Sequence, residues 1–246
     1  MNFELEICCY NFASCLVAAQ AGATRIELCA DAGEGGTTPG YGTIRQVKEA
    51  TQVPVYPIIR PRGGDFLYDA DEFAIMEKEV LLCRGLGCEG VVIGLLQADG
   101  SVDIKRVSRL VELAYPMGVT FHRAFDRAAN PFEAMEAIIE TGCERILTSG
   151  QRPHAIDALQ LLDELVRAAD ERIIIMPGSG VRASNIALLA EKTGAREFHS
   201  SARTAAPSRM SFTPAHMEET LTTVLADGSE IQAMKAVLEK RFAAIS

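Results

Sequence analysis

Eight short runs rich in Val, Ile and Leu recur along this sequence, and stretches with helical spacing separate them. The runs are residues 3–8, 25–29, 55–59, 90–94, 119–122, 145–148, 173–176 and 197–199. Between them, apolar residues return at one helical face: Phe12, Cys15, Leu16 and Ala19 in the first, then Phe73, Met76, Val80 and Cys83 in the third. Ile104, Val107, Val111 and Ala114 continue the pattern, as do Ile186, Leu189 and Ala190 in the seventh and Ile231, Met234 and Leu238 in the last. Gly22, Gly87, Gly118, Gly142 and Gly194 each precede a run, as a left-handed residue closing a helix should. Repeated strand, helix and glycine units imply parallel strands with crossover helices.

Eight such units in 246 residues match one α/β domain, a closed (β/α)8 or TIM barrel of roughly 250 residues. An open doubly wound sheet is the alternative, and no G-x-G-x-x-G follows the first run to support it. Residues 201–229, with Pro207, Pro214 and Gly228, read as an irregular segment before the last helix, a lid, an oligomer contact or an elaborated loop.

Charge and cysteine usage narrow the partners. A net charge of -9 argues against nucleic acid and against an anionic membrane surface, yet local arginines still permit a small anionic ligand. No apolar run approaches the ~20 residues of a membrane span. The opening residues carry no export signal, and the seven cysteines form no C-x-x-C pair. The expectation is a soluble, cytoplasmic protein with free thiols.

Side-chain parity gives the sharpest site inference. In the first run Phe3, Leu5 and Ile7 share one face, and Glu4, Glu6 and Cys8 share the other. In the second, Ile26 and Leu28 alternate with Arg25, Glu27 and Cys29. The apolar faces belong against helices, so the charged faces turn into the lumen. Glu4, Glu6, Arg25, Glu27, Arg60, His122, Glu197 and His199 then project inward. At the strand starts, Glu4 and Arg25 suit a structural ion network. Glu6, Glu27, Arg60, His122 and His199 lie toward the C-terminal ends, where barrel sites form. Cys8 and Cys29 end adjacent strands in matching phase, which suits a soft Cu(I) ion; buried free cysteines also serve as small apolar groups.

The turns after the strands add an anion-binding character. Arg60 and Arg62 alternate around Pro61, and guanidinium forks suit phosphate or carboxylate. Ser149, Gly178, Gly180, His199 and Ser200 lie in turns after strands six to eight, where many barrels cradle phosphate. One reading is therefore an enzyme acting on a small phosphorylated or carboxylated metabolite. Glu6 or Glu27 would be its general base and His122 its acid or electrophile.

The blocks Leu5-Glu6-Ile7-Cys8, Arg25-Ile26-Glu27-Leu28-Cys29 and Gly35-Gly36-Thr37-Thr38-Pro39 carry a resemblance over nearly the whole chain. So do Arg60-Pro61-Arg62-Gly63-Gly64-Asp65-Phe66, His122-Arg123-Ala124-Phe125-Asp126, Gly178-Ser179-Gly180 and Phe198-His199-Ser200-Ser201-Ala202. Together they resemble the CutC copper-homeostasis family. One departure is Gly40, where family members often carry serine. The resemblance implies a (β/α)8 barrel, a cytoplasmic location, copper handling and a homo-oligomer, dimer or tetramer. Copper as Cu(I) is the implied cofactor, and the family's proposed copper ligands correspond to Cys8 and Cys29.

Overall fold

A computed structural model describes residues 3–243. All eight expected strands are present, in the order of an α/β barrel: β1 (Glu4–Cys9), β2 (Arg25–Leu28), β3 (Val55–Pro57), β4 (Gly90–Ile93), β5 (Gly118–Phe121), β6 (Arg145–Thr148), β7 (Ile174–Pro177) and β8 (Glu197–Ser200). The helices between and after them are α1 (Phe12–Ala21), α2 (Tyr41–Ala50), α3 (Ala70–Gly85), α4 (Ile104–Ala114), α5 (Pro131–Thr141), α6 (Leu159–Ala169), α7 (Ile186–Thr193) and α8 (Gly228–Ala243). The strands form two parallel arcs, β3-β2-β1-β8 and β4-β5-β6-β7. An isolated parallel bridge, Ile58 to Val92, joins the arcs on one side. On the other side β7 and β8 lie adjacent without a ladder.

Side-chain alternation along the strands is kept at the core. Phe3, Leu5, Ile7, Ile26 and Leu28 are buried in the layer between strands and helices. They are joined there by Met76, Val80 and Cys83 of α3 and by Ile231, Met234 and Leu238 of α8. Burial of such side chains contributes about 1.5–3 kcal/mol each relative to exposure. Helix α1 departs from expectation: Ser14, Cys15 and Ala18 are its buried face, and Phe12 and Leu16 are only half-buried. Small residues there let the helix approach the barrel closely. In α4 the buried face is Val107, Leu110 and Ala114, and Ile104 in the first turn is exposed.

Gly22, Gly142 and Gly194 close their helices in the left-handed region, with φ of 94°, 85° and 71°. Gly118 does not. Helix α4 ends at Ala114, and Gly118 begins β5, where a Cβ would lie 2.7 Å from the Tyr56 hydroxyl. Its role is to leave room in the lumen.

The segment after β8 is more ordered than its composition implies. Strands β9 (Arg203–Ala206) and β10 (Thr223–Ala226) pair antiparallel, Thr223 opposite Ala206 and Ala226 opposite Arg203. They frame an exposed excursion, residues 207–222, which carries Met210, Phe212 and Met217 on its surface. The hairpin is short and interrupted, so neighbouring residues gave no alternation to read. It is held by α1: Asn11 Nδ2 donates to Val224 O at 2.7 Å, and Ala226 N donates to Ser14 Oγ at 3.1 Å. Among the described residues no helix is long and apolar enough to cross a membrane.

Candidate functional site

Strand register assembles the lumen. Pairing of β1 with β2 sets Glu6 opposite Arg25 and Cys8 opposite Glu27, and pairing of β1 with β8 sets Glu6 opposite His199. At the lower level Arg25 Nε donates to Glu6 Oε2 at 2.5 Å and its Nη2 to Glu197 Oε2 at 2.6 Å. Arg145 Nε completes the group, 3.1 Å from the same Glu197 oxygen. Both guanidiniums lie over the Tyr56 ring, at 5.3 and 5.5 Å from its centroid. All four charged residues are at most 8% exposed. Burying such ions costs several kcal/mol each unless they are paired and hydrogen-bonded in this way.

Arg145 and Tyr56 escaped the sequence reading, although the same parity points to them. Tyr56 shares a strand face with Arg60, and Arg145 alternates with core Ile146. Gly90 makes the ring possible, because a Cβ there would overlap it.

One layer up, Cys8 and Cys29 bring their sulfurs to 3.5 Å, in hydrogen-bond contact. Glu27 joins them; a carboxylate oxygen and both sulfurs lie within 4.8 Å of one another. His199 spans the layers, its Nδ1 2.7 Å from Glu6 Oε1 and its Nε2 3.7 Å from Glu27 Oε2. Gly36, at φ 110°, closes over the pair, and a Cβ there would lie 3.1 Å from Cys29 Sγ. All seven cysteines are buried and unbridged.

The electrostatics of the two layers differ. Burial alone would raise the Glu6 carboxyl, but Arg25 and then His199 hold it down at about 2. Glu6 is thereby a fixed carboxylate, fully buried and absent from the cavity lining. Burial and the neighbouring Cys8 instead push Glu27 well above the usual carboxylate range. The Cys8 thiol is held well below its ordinary value, first by the hydrogen bond from Cys29 and also by His199. Burial and Cys8 raise Cys29. His199 is raised well above its ordinary value: burial opposes this, but hydrogen bonds to Cys8 and Glu6 outweigh it.

Above this lies a cavity of about 570 Å³ at the C-terminal ends of the strands. Of the candidate residues, Cys8, Glu27, Arg60, His122, Gly180, His199 and Ser200 line it. Cys29, Arg62, Ser149 and Gly178 do not. Arg62 turns outward, where its Nε donates to Glu72 at 2.5 Å beside the start of α3 and its guanidinium covers Tyr68. The Ser149 hydroxyl donates to Asp126 Oδ2 at 2.8 Å and accepts from Arg123 Nη2 at 2.9 Å. Asp126 also takes the Thr148 hydroxyl at 2.6 Å, so this turn is spent on its own geometry. Gly178 packs under His199, where a Cβ would lie 3.2 Å from the histidine Cβ. The Ser200 hydroxyl donates to Val181 O at 2.7 Å.

The chain is similar to known proteins along most of its length. The family model described as CutC family matches residues 3–204 and stops before the exposed excursion. A family protein CutC from Chromobacterium violaceum is 51% identical over 212 residues, covering 86% of each chain. One from Parabacteroides distasonis is 51% identical over 213 residues, covering 86% of this chain and 88% of its own. Among solved structures, a Streptococcus agalactiae CutC, described as a candidate copper homeostasis protein, superposes with a TM-score of 0.77. It is 30% identical, over 81% of this chain and 98% of its own. Phosphoribosylanthranilate isomerase from Pyrococcus furiosus, at 11% identity and a TM-score of 0.58 over 97% of this chain and 99% of its own, shares the barrel fold alone. With its family match spanning most of its length and half its residues shared with such relatives, this chain belongs to the CutC family.

Proposed function

We propose that this protein serves copper homeostasis in the cytoplasm by binding one Cu(I) ion between Cys8 and Cys29. The observation that carries the reading is the approach of two buried sulfurs to 3.5 Å, at the ends of adjacent strands. Thiolate is the soft donor that favours Cu(I) over harder divalent ions, and Glu27 beside the pair supplies a third, weaker donor. Thiolate ligation releases thiol protons, so copper binding competes with protonation of the pair. Copper is here cargo. We also propose a homo-oligomer, with the apolar side chains of residues 207–222 as its contact.

An anaerobic Cu(I) titration against a chromogenic competitor tests the site. One equivalent should bind to the wild type, with affinity lowered at least about tenfold in both Cys8→Ser and Cys29→Ser. Unchanged affinity in both variants rejects the pair as ligands.

A further inference from the structure

Of the two sulfurs only Cys8 reaches the cavity, and most of that cavity is unsuited to a cation. Its lining carries five arginines and three carboxylates, in a chain whose net charge is -9. Four of the arginines stand toward the rim. The fifth, Arg60, is 6% exposed, and among the described residues its hydrogen bonds go to backbone carbonyls, with no acceptor for its Nε. Its Nη1 donates to Glu34 O at 2.7 Å and Gly36 O at 2.8 Å, and its Nη2 to Gly64 O at 2.8 Å. No carboxylate among the described residues pairs with it. These carbonyls fix the guanidinium but leave its charge unneutralised, in contrast to the lower arginines, Arg25 and Arg145.

His122 is the second incomplete group. It is 4% exposed, and its Nδ1 accepts the Ala124 N–H at 3.1 Å. That bond places the ring proton on Nε2, which has no partner among the described residues. Burial, with Arg60 next, depresses its pKa to about 3, so the ring is a neutral donor. Phe66 joins the two groups: its ring lies 5.0 Å from the Arg60 guanidinium and 5.0 Å from the His122 ring. Gly94 is bare beneath them, since a Cβ there would overlap the imidazole. A buried cation without an anion and a buried donor without an acceptor are each unfavourable alone. One oxygen anion would partner both.

We infer that this cavity is a binding site for a small oxyanion-bearing metabolite, a carboxylate or a phosphate monoester, whose charged oxygens sit against Arg60 and the Nε2–H of His122. The anion is held by side chains other than the thiol pair, whose Cys8 lines the same cavity. Rim arginines, Arg182 and Arg203 among them, draw the anion in from solvent.

The test is a titration of metal-free, full-length protein labelled with 15N-histidine, followed at the His122 ring by proton–nitrogen NMR. Inorganic phosphate and malonate are the two probes, with sodium chloride at matched ionic strength as reference. A saturable shift with either probe, absent with chloride, is expected, and the probe that saturates identifies the head group. Affinity should fall at least about tenfold in Arg60→Gln and stay within about twofold in Arg62→Gln, which alters a guanidinium outside the cavity. Shifts that merely track ionic strength for both probes overturn the inference. So does undiminished binding by Arg60→Gln. If that variant fails to fold, the wild-type titration decides alone.

Discussion

Replacing Arg25 by methionine gives the most direct measure of what holds the lumen together. Arg25 contacts Glu6 at 2.5 Å and Glu197 at 2.6 Å, so its loss strips one partner from each of two buried carboxylates. Removing one member of a buried ion pair costs about 3–5 kcal/mol, because the remaining charge is left uncompensated. Here each carboxylate keeps a second cation: His199 stays 2.7 Å from Glu6, and Arg145 stays 3.1 Å from Glu197. The cost should therefore fall near the lower end, about 3 kcal/mol. For a chain of this size that corresponds to a fall of about 6–12 °C in Tm. Urea unfolding at pH 7, followed by circular dichroism, measures it, provided the slope against urea is unchanged. The double variant Arg25→Met with Glu6→Gln should recover at least about 1 kcal/mol relative to the sum of the single changes, since the two side chains share one interaction. An Arg25→Met protein within about 0.5 kcal/mol of wild type would refute the reasoning, as would strict additivity in the double variant.

Three further outcomes follow from the same contacts. Glu6 sits at about 2 rather than its ordinary 4.5, so its contribution is complete above about pH 4.5 and is lost as pH falls through about 2. Wild-type stability should drop by about 3 kcal/mol across that window, and Glu6→Gln should flatten that acid limb of a urea-midpoint profile; an equally steep limb in the variant counts against the assignment. Gly90→Ala would drive a Cβ into the Tyr56 ring and should destabilise by about 1–3 kcal/mol, with partial rescue by Tyr56→Leu. Absence of rescue in urea titrations would mean the crowding lies elsewhere. Asn11→Ala removes both the cap on Ser14 N and the bond to Val224 O, so a loss of about 1 kcal/mol should accompany faster hydrogen exchange across β9 and β10. Exchange confined to α1 would show that the hairpin is held by other contacts.

The sequence by itself determined the barrel and the facing of its first two strands. Period-two alternation and repeated helix spacing are local signals, and Phe3, Leu5 and Ile7 against Glu6 and Cys8 needed nothing beyond chain stereochemistry. Cys8 and Cys29 could be brought together from their matching phase and their place at the ends of adjacent strands. Tertiary structure decided which charged groups are spent on each other and which are left incomplete. Position along the strands already separated Arg25 from Arg60, but only register sets Arg25 between Glu6 and Glu197, and only the loops after β2 and β3 surround Arg60 with carbonyls. Arg62, two residues on, turns to Glu72 instead of the cavity. Ser149 resembled a phosphate ligand until Asp126 claimed its hydroxyl. The pairing of β9 with β10 across residues 207–222 and the packing of Tyr56 over Gly90 depend on contacts far apart in the chain. The physical reason is that a residue's facing follows from its neighbours, but its hydrogen-bond partner is chosen among all the groups that folding brings within about 3 Å.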